Sequence, residues 1–119
     1  MKNPKTGFSR LISAARFSRQ GMASAYRHEA AFRQEFWAAV VLIPVAILLG
    51  DTWLESGVMI ASLLLVLIVE LLNSAIETVV DRIGEDLHEL SGRAKDMGSA
   101  AVLLSLLLAA VVWLSVLFS

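Results

Sequence analysis

The sequence predicts an all-α integral membrane protein: an amphipathic helix on the membrane surface, followed by a bundle of three transmembrane helices. Its 119 residues are 57% hydrophobic with a mean hydropathy of +0.71, which is more apolar than a soluble domain of this size can bury. Three long apolar segments follow one another along the chain. Seven of the ten lysines and arginines precede the first of these segments. The net charge of −1 argues against nucleic-acid binding, and the absence of cysteine excludes disulfides and thiolate metal sites.

The basic N-terminal segment predicts the surface helix, over about residues 7–30. On a helical wheel its apolar side chains share one side, as in helices that lie in a membrane interface: Phe8, Leu11, Ile12, Ala15, Met22 and Tyr26. Arginines off this side would reach towards lipid phosphates. Gly21 interrupts the stripe and predicts a bend or break. Glu29 and Arg33 stand one turn apart, a spacing at which the two side chains could form an ion pair.

Three membrane spans are predicted within a single membrane-embedded domain. The domain covers residues 1–119, and the spans cover about residues 36–54, 57–83 and 98–118. Pro44 is expected to kink the first span, and Trp53 to anchor its end at the interface. Gly84 suits the C-terminus of the second span. The third span carries no charge, and small residues at its start would let another helix approach closely.

The distribution of basic residues predicts the orientation of these spans. All ten lie in the N-terminal segment or in the connection 82–97, and none lies in the turn 51–57 or at the C-terminus. Because cytoplasmic loops are enriched in lysine and arginine, the N-terminus is expected in the cytoplasm and the C-terminus outside.

A polar stripe runs along the second span, formed by Glu70, Asn73, Glu77 and Asp81 at spacings of three, four and four. Residues at these spacings share one side of a helix. A carboxylate at the bilayer centre costs about 2.5–3.5 kcal/mol on insertion scales, so acids here require a reason. Asp81, beside Arg82 at the helix end, is expected to pack or to sit in headgroup water. Glu70, between two apolar runs, is expected to be functional.

The chemistry that this stripe predicts is phosphate handling with a divalent cation. The orientation brings it near charged groups at the cytoplasmic ends of the other spans: Glu29, Arg33, Glu35, Lys95 and Asp96. Oxygen ligands without a His or Cys cluster favour Mg²⁺ over zinc, and Mg²⁺ with nearby cations is typical of phosphoryl transfer. The GxxxxGK[ST] loop and the HRD and DFG signatures of soluble enzymes do not occur.

Two other classes of protein stay open on these residues. A transporter could use membrane carboxylates as a proton or cation relay, although the outer halves of all three spans are uncharged. A structural oligomerisation module would explain the small residues of the third span. It would leave the cost of Glu70, Asn73 and Glu77 unexplained.

Three segments resemble the small prokaryotic integral-membrane diacylglycerol kinases: EAAFRQE (29–35), VELLNSAIETVVDRIG (69–84) and ELSGRAKDMGSAAV (89–102). The opening GFSRLISAARFS (7–18) is similar to the surface helix of that family. The resemblance implies a homotrimer in the bacterial inner membrane that transfers the γ-phosphoryl group of ATP to the primary hydroxyl of diacylglycerol, giving phosphatidic acid. A shorter-range resemblance to bacterial kinases of undecaprenol makes a polyprenol the alternative acceptor. The amphipathic N-terminal helix favours diacylglycerol.

The resemblance also implies roles for individual residues. Glu70 is the general base, Glu29 and Glu77 hold the Mg²⁺ bound to ATP, and Asn73 supports the site. Contacts with ATP are implied for Arg10, Phe17, Glu29, Glu77, Asp86, Leu87, His88, Lys95 and Asp96. Contacts with the lipid are implied for Arg10, Ala14, Ala15, Arg16, Phe17, Ser18, Arg19, Ala23, Ser24, Ala25, Tyr26, Ala31, Phe32, Arg33, Gln34, Glu35, Leu48, Ser56, Glu70, Ser99 and Trp113. The family carries tyrosine at the position of Phe17, so the aromatic ring is kept here and a hydroxyl is lost.

Overall fold

Four α-helices make up the computed structural model, which describes residues 7–84 and 88–119. They are α1 (Gly7–His28), α2 (Ala30–Leu49), α3 (Trp53–Ile83) and α4 (Glu89–Leu117), and the described residues contain no strand. The last three are long and apolar enough to cross a membrane. The all-α prediction, with three membrane-spanning helices after an N-terminal helix, is therefore confirmed.

Helix α1 runs without interruption through Gly21, so the break considered there does not occur. A single glycine costs a helix only about 1 kcal/mol, and the residues on either side of it favour the helix. The break comes instead at Glu29, whose backbone is extended (φ −121°, ψ 109°) between the end of α1 and the start of α2.

The turn between α2 and α3 is closed by reciprocal hydrogen bonds. The Thr52 hydroxyl accepts from the Glu55 N–H at 3.1 Å, while a Glu55 carboxylate oxygen accepts from the Asp51 N–H at 2.8 Å. This arrangement is close to a capping box and fixes the start of α3. Helix α2 consequently ends at Leu49, five residues before the predicted end of the first span, and Trp53 begins α3.

Helix α3 lies at the centre of the molecule, packed against α2 and α4, while α1 contacts α2 and α3. Small side chains allow the close approach to α2. The Ser56 hydroxyl donates to the Ala46 carbonyl at 2.8 Å, and Gly50 lies so close to Ser56 that a side chain at position 50 would collide with it. Met59 and Ala46 are fully buried at this contact.

The length of α3 lifts its polar stripe out of the bilayer centre. At about 1.5 Å per residue the helix is about 46 Å long, against about 30 Å for a hydrocarbon core. Its C-terminal part, which carries Glu70 and the acids after it, thus extends towards one interface. The opposite side of the same part is apolar and exposed, formed by Leu64, Ile68, Leu72, Ile76, Val79 and Ile83. We call this surface the apolar strip.

Candidate functional site

The site is built around Glu70, a carboxylic acid on α3 that is only 5% exposed. Three other carboxyl groups lie within electrostatic reach of it, those of Glu35, Glu77 and Glu29. They come from three places in the fold: the break after α1, the first turns of α2, and the next turns of α3. Each of these three acids therefore lies near enough to Glu70 to act on its charge. We call these four residues the carboxylate cluster.

Asn73 lies between Glu70 and Glu77 on α3 and faces α4. Its side-chain oxygen Oδ1 is buried and, among the described residues, has no hydrogen-bond partner. The side chain rests on Gly98 of α4, where an added Cβ would collide with Oδ1 and lie 3.2 Å from Cγ. The absence of a side chain at position 98 is thus what lets α4 close over the polar stripe.

Lys95 on α4 forms an ion pair with Asp81 on α3, with Nζ and Oδ1 2.8 Å apart. Both side chains are exposed, and through this pair Asp81 contacts another helix, which is one of the two arrangements expected for it. The pair was not predicted, because fourteen positions separate the two residues and only the return of α4 along α3 brings them together. Glu77 also lies within electrostatic reach of Lys95.

The other residues implied in nucleotide binding lie in the first half of α1 and at the start of α4. Arg10 and Phe17 are on the exposed side of α1, with the Arg16 guanidinium over the Phe17 ring, 5.7 Å from its centre. His88 caps α4, since its Nδ1 accepts from the Leu90 N–H at 3.0 Å. Asp96 is exposed on the first turns of α4. Asp86 and Leu87 lie outside the described residues.

The donors present suit a hard divalent cation. Glu29 and Glu77 offer carboxylate oxygens, but the described residues contain no group of three His, Cys, Asp or Glu side chains that could hold a metal ion by themselves. Mg²⁺ is commonly held by one or two protein carboxylates, with phosphate oxygens and water in its other positions. The donor set fits Mg²⁺ that arrives with a phosphate ligand better than a metal held by protein alone.

A family model for prokaryotic diacylglycerol kinases matches residues 16–117 of the chain. The chain belongs to this family. Named diacylglycerol kinases include a protein of Haemophilus influenzae, 53% identical over 95% of this chain and 96% of its own length, and one of Escherichia coli K12, 51% identical over 100% of this chain and 98% of its own. The diacylglycerol kinase of Helicobacter pylori strain 26695 is 41% identical over 90% of this chain. All four residues of the carboxylate cluster, and Lys95, lie within the matched range 16–117.

The positions for which the resemblance implies contact with the lipid differ in how exposed they are. Some are packed inside the chain: Ala25, Phe32 and Ser56 are 7%, 3% and 3% exposed. Others are open to the surroundings, and this group contains Ala14, Ala15, Ser18, Arg19, Ala23, Ser24, Ala31, Gln34, Leu48 and Ser99.

Two cavities adjoin the carboxylate cluster. An apolar cavity of about 230 Å³ between α2, α3 and α4 has Glu35 and Trp113 in its lining, and the Trp113 Nε1–H donates to the Ser62 hydroxyl at 3.1 Å. A groove of about 780 Å³ between α1 and α3 has Glu29 and Asp81 in its lining. Ser74 and Thr78 also line this groove, and sequence reasoning missed them because they lie on the side of α3 next to the polar stripe.

Proposed function

We propose that the protein transfers the γ-phosphoryl group of ATP to the primary hydroxyl of diacylglycerol, giving phosphatidic acid and ADP. The observation that carries this proposal is the buried Glu70 carboxyl within the carboxylate cluster, at the membrane-facing end of the polar stripe. Membership of the prokaryotic diacylglycerol kinase family supports the acceptor, since the relatives compared above carry that name.

Glu70 is proposed as the general base. A carboxylate accepts the proton of the lipid hydroxyl while the hydroxyl oxygen forms a bond to the γ-phosphorus and the bond from that phosphorus to the β–γ bridging oxygen breaks. The bridging oxygen leaves on ADP. The position of Glu70 suits this role because a diacylglycerol hydroxyl lies at the same interface, so the lipid does not have to leave the bilayer.

Glu29 and Glu77 are proposed to hold Mg²⁺ together with the phosphates of ATP. When bound, Mg²⁺ offsets the negative charge of the phosphates. The two carboxylates orient the nucleotide relative to Glu70, since all three lie within one cluster. Lys95 is proposed to exchange its Asp81 partner for a phosphate oxygen, because its side chain is exposed and Glu77 of the carboxylate cluster lies within electrostatic reach of it.

The lipid is proposed to lie with its hydroxyl at the carboxylate cluster and a chain towards the apolar cavity. The cavity supports this placement because it joins a carboxyl group, that of Glu35, to a lining that is otherwise mostly aliphatic. Arginines of α1 would lie over the ester groups, as expected for a helix in the interface.

Purified protein in mixed micelles tests the activity. ATP consumption that depends on added dioleoylglycerol, with ³²P appearing in phosphatidic acid, is the expected result. ATP consumption without lipid, or none in its presence, would contradict the proposal. The variant E70Q serves as the matched blank, because its amide has nearly the same shape and cannot accept the proton.

We propose a bacterial inner-membrane location with the carboxylate cluster on the cytoplasmic side. The positive-inside rule supports it, because the basic residues lie at the same ends of the spans as the cluster. The chain has no cysteine, so single cysteines report their side of the membrane cleanly. In intact cells a membrane-impermeant maleimide should label D51C and leave G92C unlabelled. The reverse pattern would overturn the orientation.

A homotrimer is proposed on the basis of the family resemblance, and the apolar strip supports contact between copies of the chain. Lipid explains an exposed apolar surface within the bilayer, but Val79 and Ile83 continue it to the end of α3, beside charged residues. Contact with other copies of the chain would cover these side chains. Light scattering in detergent should give three chains per particle, and I76E should lower that number. A monomeric active protein would contradict the proposal.

A further inference from the structure

The break between α1 and α2 leaves backbone carbonyls that need new donors. The hydrogen bonds on either side of the break close on Glu29: its N–H donates to the Ala25 carbonyl at 2.9 Å, and its carbonyl accepts from the Arg33 N–H at 3.2 Å. In an uninterrupted helix the carbonyls of Tyr26 and Arg27 would accept from residues 30 and 31. At a break these groups must find other partners or water.

The Arg33 guanidinium donates hydrogen bonds to both of these carbonyls. Its Nη1 donates to the Tyr26 carbonyl at 2.7 Å and to the Arg27 carbonyl at 3.1 Å. A cation at a helix C-terminus also interacts favourably with the helix dipole. The ion pair between Arg33 and Glu29 that their spacing suggested is therefore replaced by a cap on α1.

Aromatic side chains also connect the end of α1 to α2. The Trp37 Nε1–H donates to the Tyr26 hydroxyl at 2.8 Å, and the Tyr26 ring meets the Phe36 ring edge-on at 5.8 Å. Tyr26, at the end of α1, is thus tied to α2 through its carbonyl and through its side chain. Glu29 is held between these attachments, with its carboxyl within electrostatic reach of Glu70.

We infer that Arg33 is a positioning residue: by capping α1 it fixes the angle between α1 and α2 and holds the Glu29 carboxylate where Mg²⁺ and ATP need it. This inference rests on the metal role proposed above for Glu29. It gives Arg33 a task within the protein, where the family resemblance places the residue among the lipid contacts. Both bonds come from one nitrogen, Nη1, which has two hydrogens to donate, and a lysine ammonium also carries several donors on one nitrogen.

Kinetics of three variants separate this role from lipid contact. R33Q should raise the Mg²⁺ concentration for half-maximal rate by about tenfold or more, the scale expected when a group that orients a metal ligand is lost. The KM for dioleoylglycerol should stay within about twofold, because Arg33 does not contact the lipid. R33K should recover part of the loss. R93Q removes the charge of an exposed arginine on α4 that has no proposed role, so it should leave both quantities unchanged.

A second measurement tests the arrangement of α1 and α2 without relying on enzyme activity. Nitroxides on Q20C in α1 and V41C in α2, in chains diluted with unlabelled protein, should give a narrow distance distribution that R33Q broadens. If R33Q does not fold, W37F is measured instead and should broaden the distribution less, because it removes only the bond to the Tyr26 hydroxyl.

The outcomes separate this inference from the function on which it rests. An unchanged distance distribution would overturn the cap, and a broadened one with unchanged Mg²⁺ dependence would overturn the link to Glu29. A raised KM for dioleoylglycerol alone would make Arg33 a lipid contact. If the wild-type protein has no kinase activity, the proposed function fails, whatever the nitroxide distances show.

Discussion

Asn73 on α3 rests directly on Gly98 of α4, and this contact leaves no room for a side chain at position 98. The two residues belong to different spans, and they meet where the polar stripe passes between Glu70 and Glu77. Because Asn73 Oδ1 is buried there without a hydrogen-bond partner among the described residues, the site contains an acceptor that the packing alone does not satisfy. Such a group is costly to bury unless it is used.

The Asn73–Gly98 contact predicts that G98A is strongly harmful. An added methyl group must push Asn73 or α4 aside, which costs about 1–3 kcal/mol in a well-packed interior and moves Asn73 relative to Glu70. Both thermal stability and kcat should fall. The matched control is G92A, also in α4, where nothing lies within 4 Å of the added atom. It should be neutral or slightly stabilising, since alanine favours a helix.

Combining G98A with N73A tests the cause of that loss. The shorter side chain makes room for the methyl group, so thermal stability should return towards that of N73A alone, while kcat should stay low because the carboxamide is gone. Recovery of kcat in the double variant would show that Asn73 acts only through packing.

We predict that E70Q loses phosphoryl transfer but still binds MgATP. The amide cannot take the proton of the lipid hydroxyl, and general-base catalysis is typically worth about 10²–10⁴-fold. We therefore expect kcat to fall by about that factor with the KM for MgATP little changed. E89Q, on the exposed first turn of α4, controls for the loss of a carboxylate and should turn over normally. Turnover of E70Q within a few-fold of wild type would remove Glu70 from this role.

Glu29 and Glu77 should report on one shared ion. Each change to glutamine removes one carboxylate from the carboxylate cluster, so each should raise the Mg²⁺ requirement by about an order of magnitude or more. The double variant should lose less than the sum of the two losses in free energy, since both residues act on the same ion. Mg²⁺ titrations of ATP turnover measure this, with D51N in the opposite turn as control. Strictly additive losses would indicate separate sites.

The sequence predicted the helices better than their junctions. Apolar runs without charge can only be spans in a chain this short, and the spacing of Glu70, Asn73 and Glu77 defines one helix side wherever the helix sits. The end of the surface helix is predicted at about residue 30, close to its end at His28, but the Arg33 cap has no signal in the sequence because it depends on how the next helix packs. Gly21 is a weak helix former and does not break α1.

The start of α3 has a recognisable sequence pattern, whereas the contacts between α3 and α4 do not. Thr52 and Glu55 have the spacing of a capping box, so the start of α3 could have been read from them. The Lys95–Asp81 pair and the Asn73–Gly98 contact had no such signal, because each depends on how α4 returns along α3.

Trp113 and Ser62 should be energetically coupled across α3 and α4. The indole N–H donates to the Ser62 hydroxyl, which itself donates to the Met59 carbonyl at 2.7 Å. Hydrogen bonds between membrane helices average about 0.6 kcal/mol and reach about 1.7 kcal/mol. Unfolding of W113F, S62A and the double variant in detergent should give a coupling energy in this range. A coupling of zero would show that the indole is held by other contacts.

Helix α1 predicts that the acceptor lipid is diacylglycerol and not a polyprenol. The apolar side chains Phe8, Leu11 and Ile12 are 77%, 66% and 58% exposed in the isolated chain, as expected for a helix that inserts one side into the interface. The exposed arginines and serines on its other sides are then expected at the depth of glycerol ester groups. A polyprenol has no ester carbonyls, so these donors would gain nothing from it.

We therefore expect dioleoylglycerol to have a kcat/KM at least about tenfold above that of undecaprenol at equal mole fraction in mixed micelles, which corresponds to a difference of about 1.4 kcal/mol in transition-state stabilisation. The double variant R16Q/R19Q should narrow this ratio by slowing dioleoylglycerol more than undecaprenol, while E89Q should leave it unchanged. A reversed ratio in the wild-type protein would assign the enzyme to polyprenols. It would leave the roles of Glu70, Glu29 and Glu77 as proposed, because phosphoryl transfer to either alcohol needs the same base and the same metal.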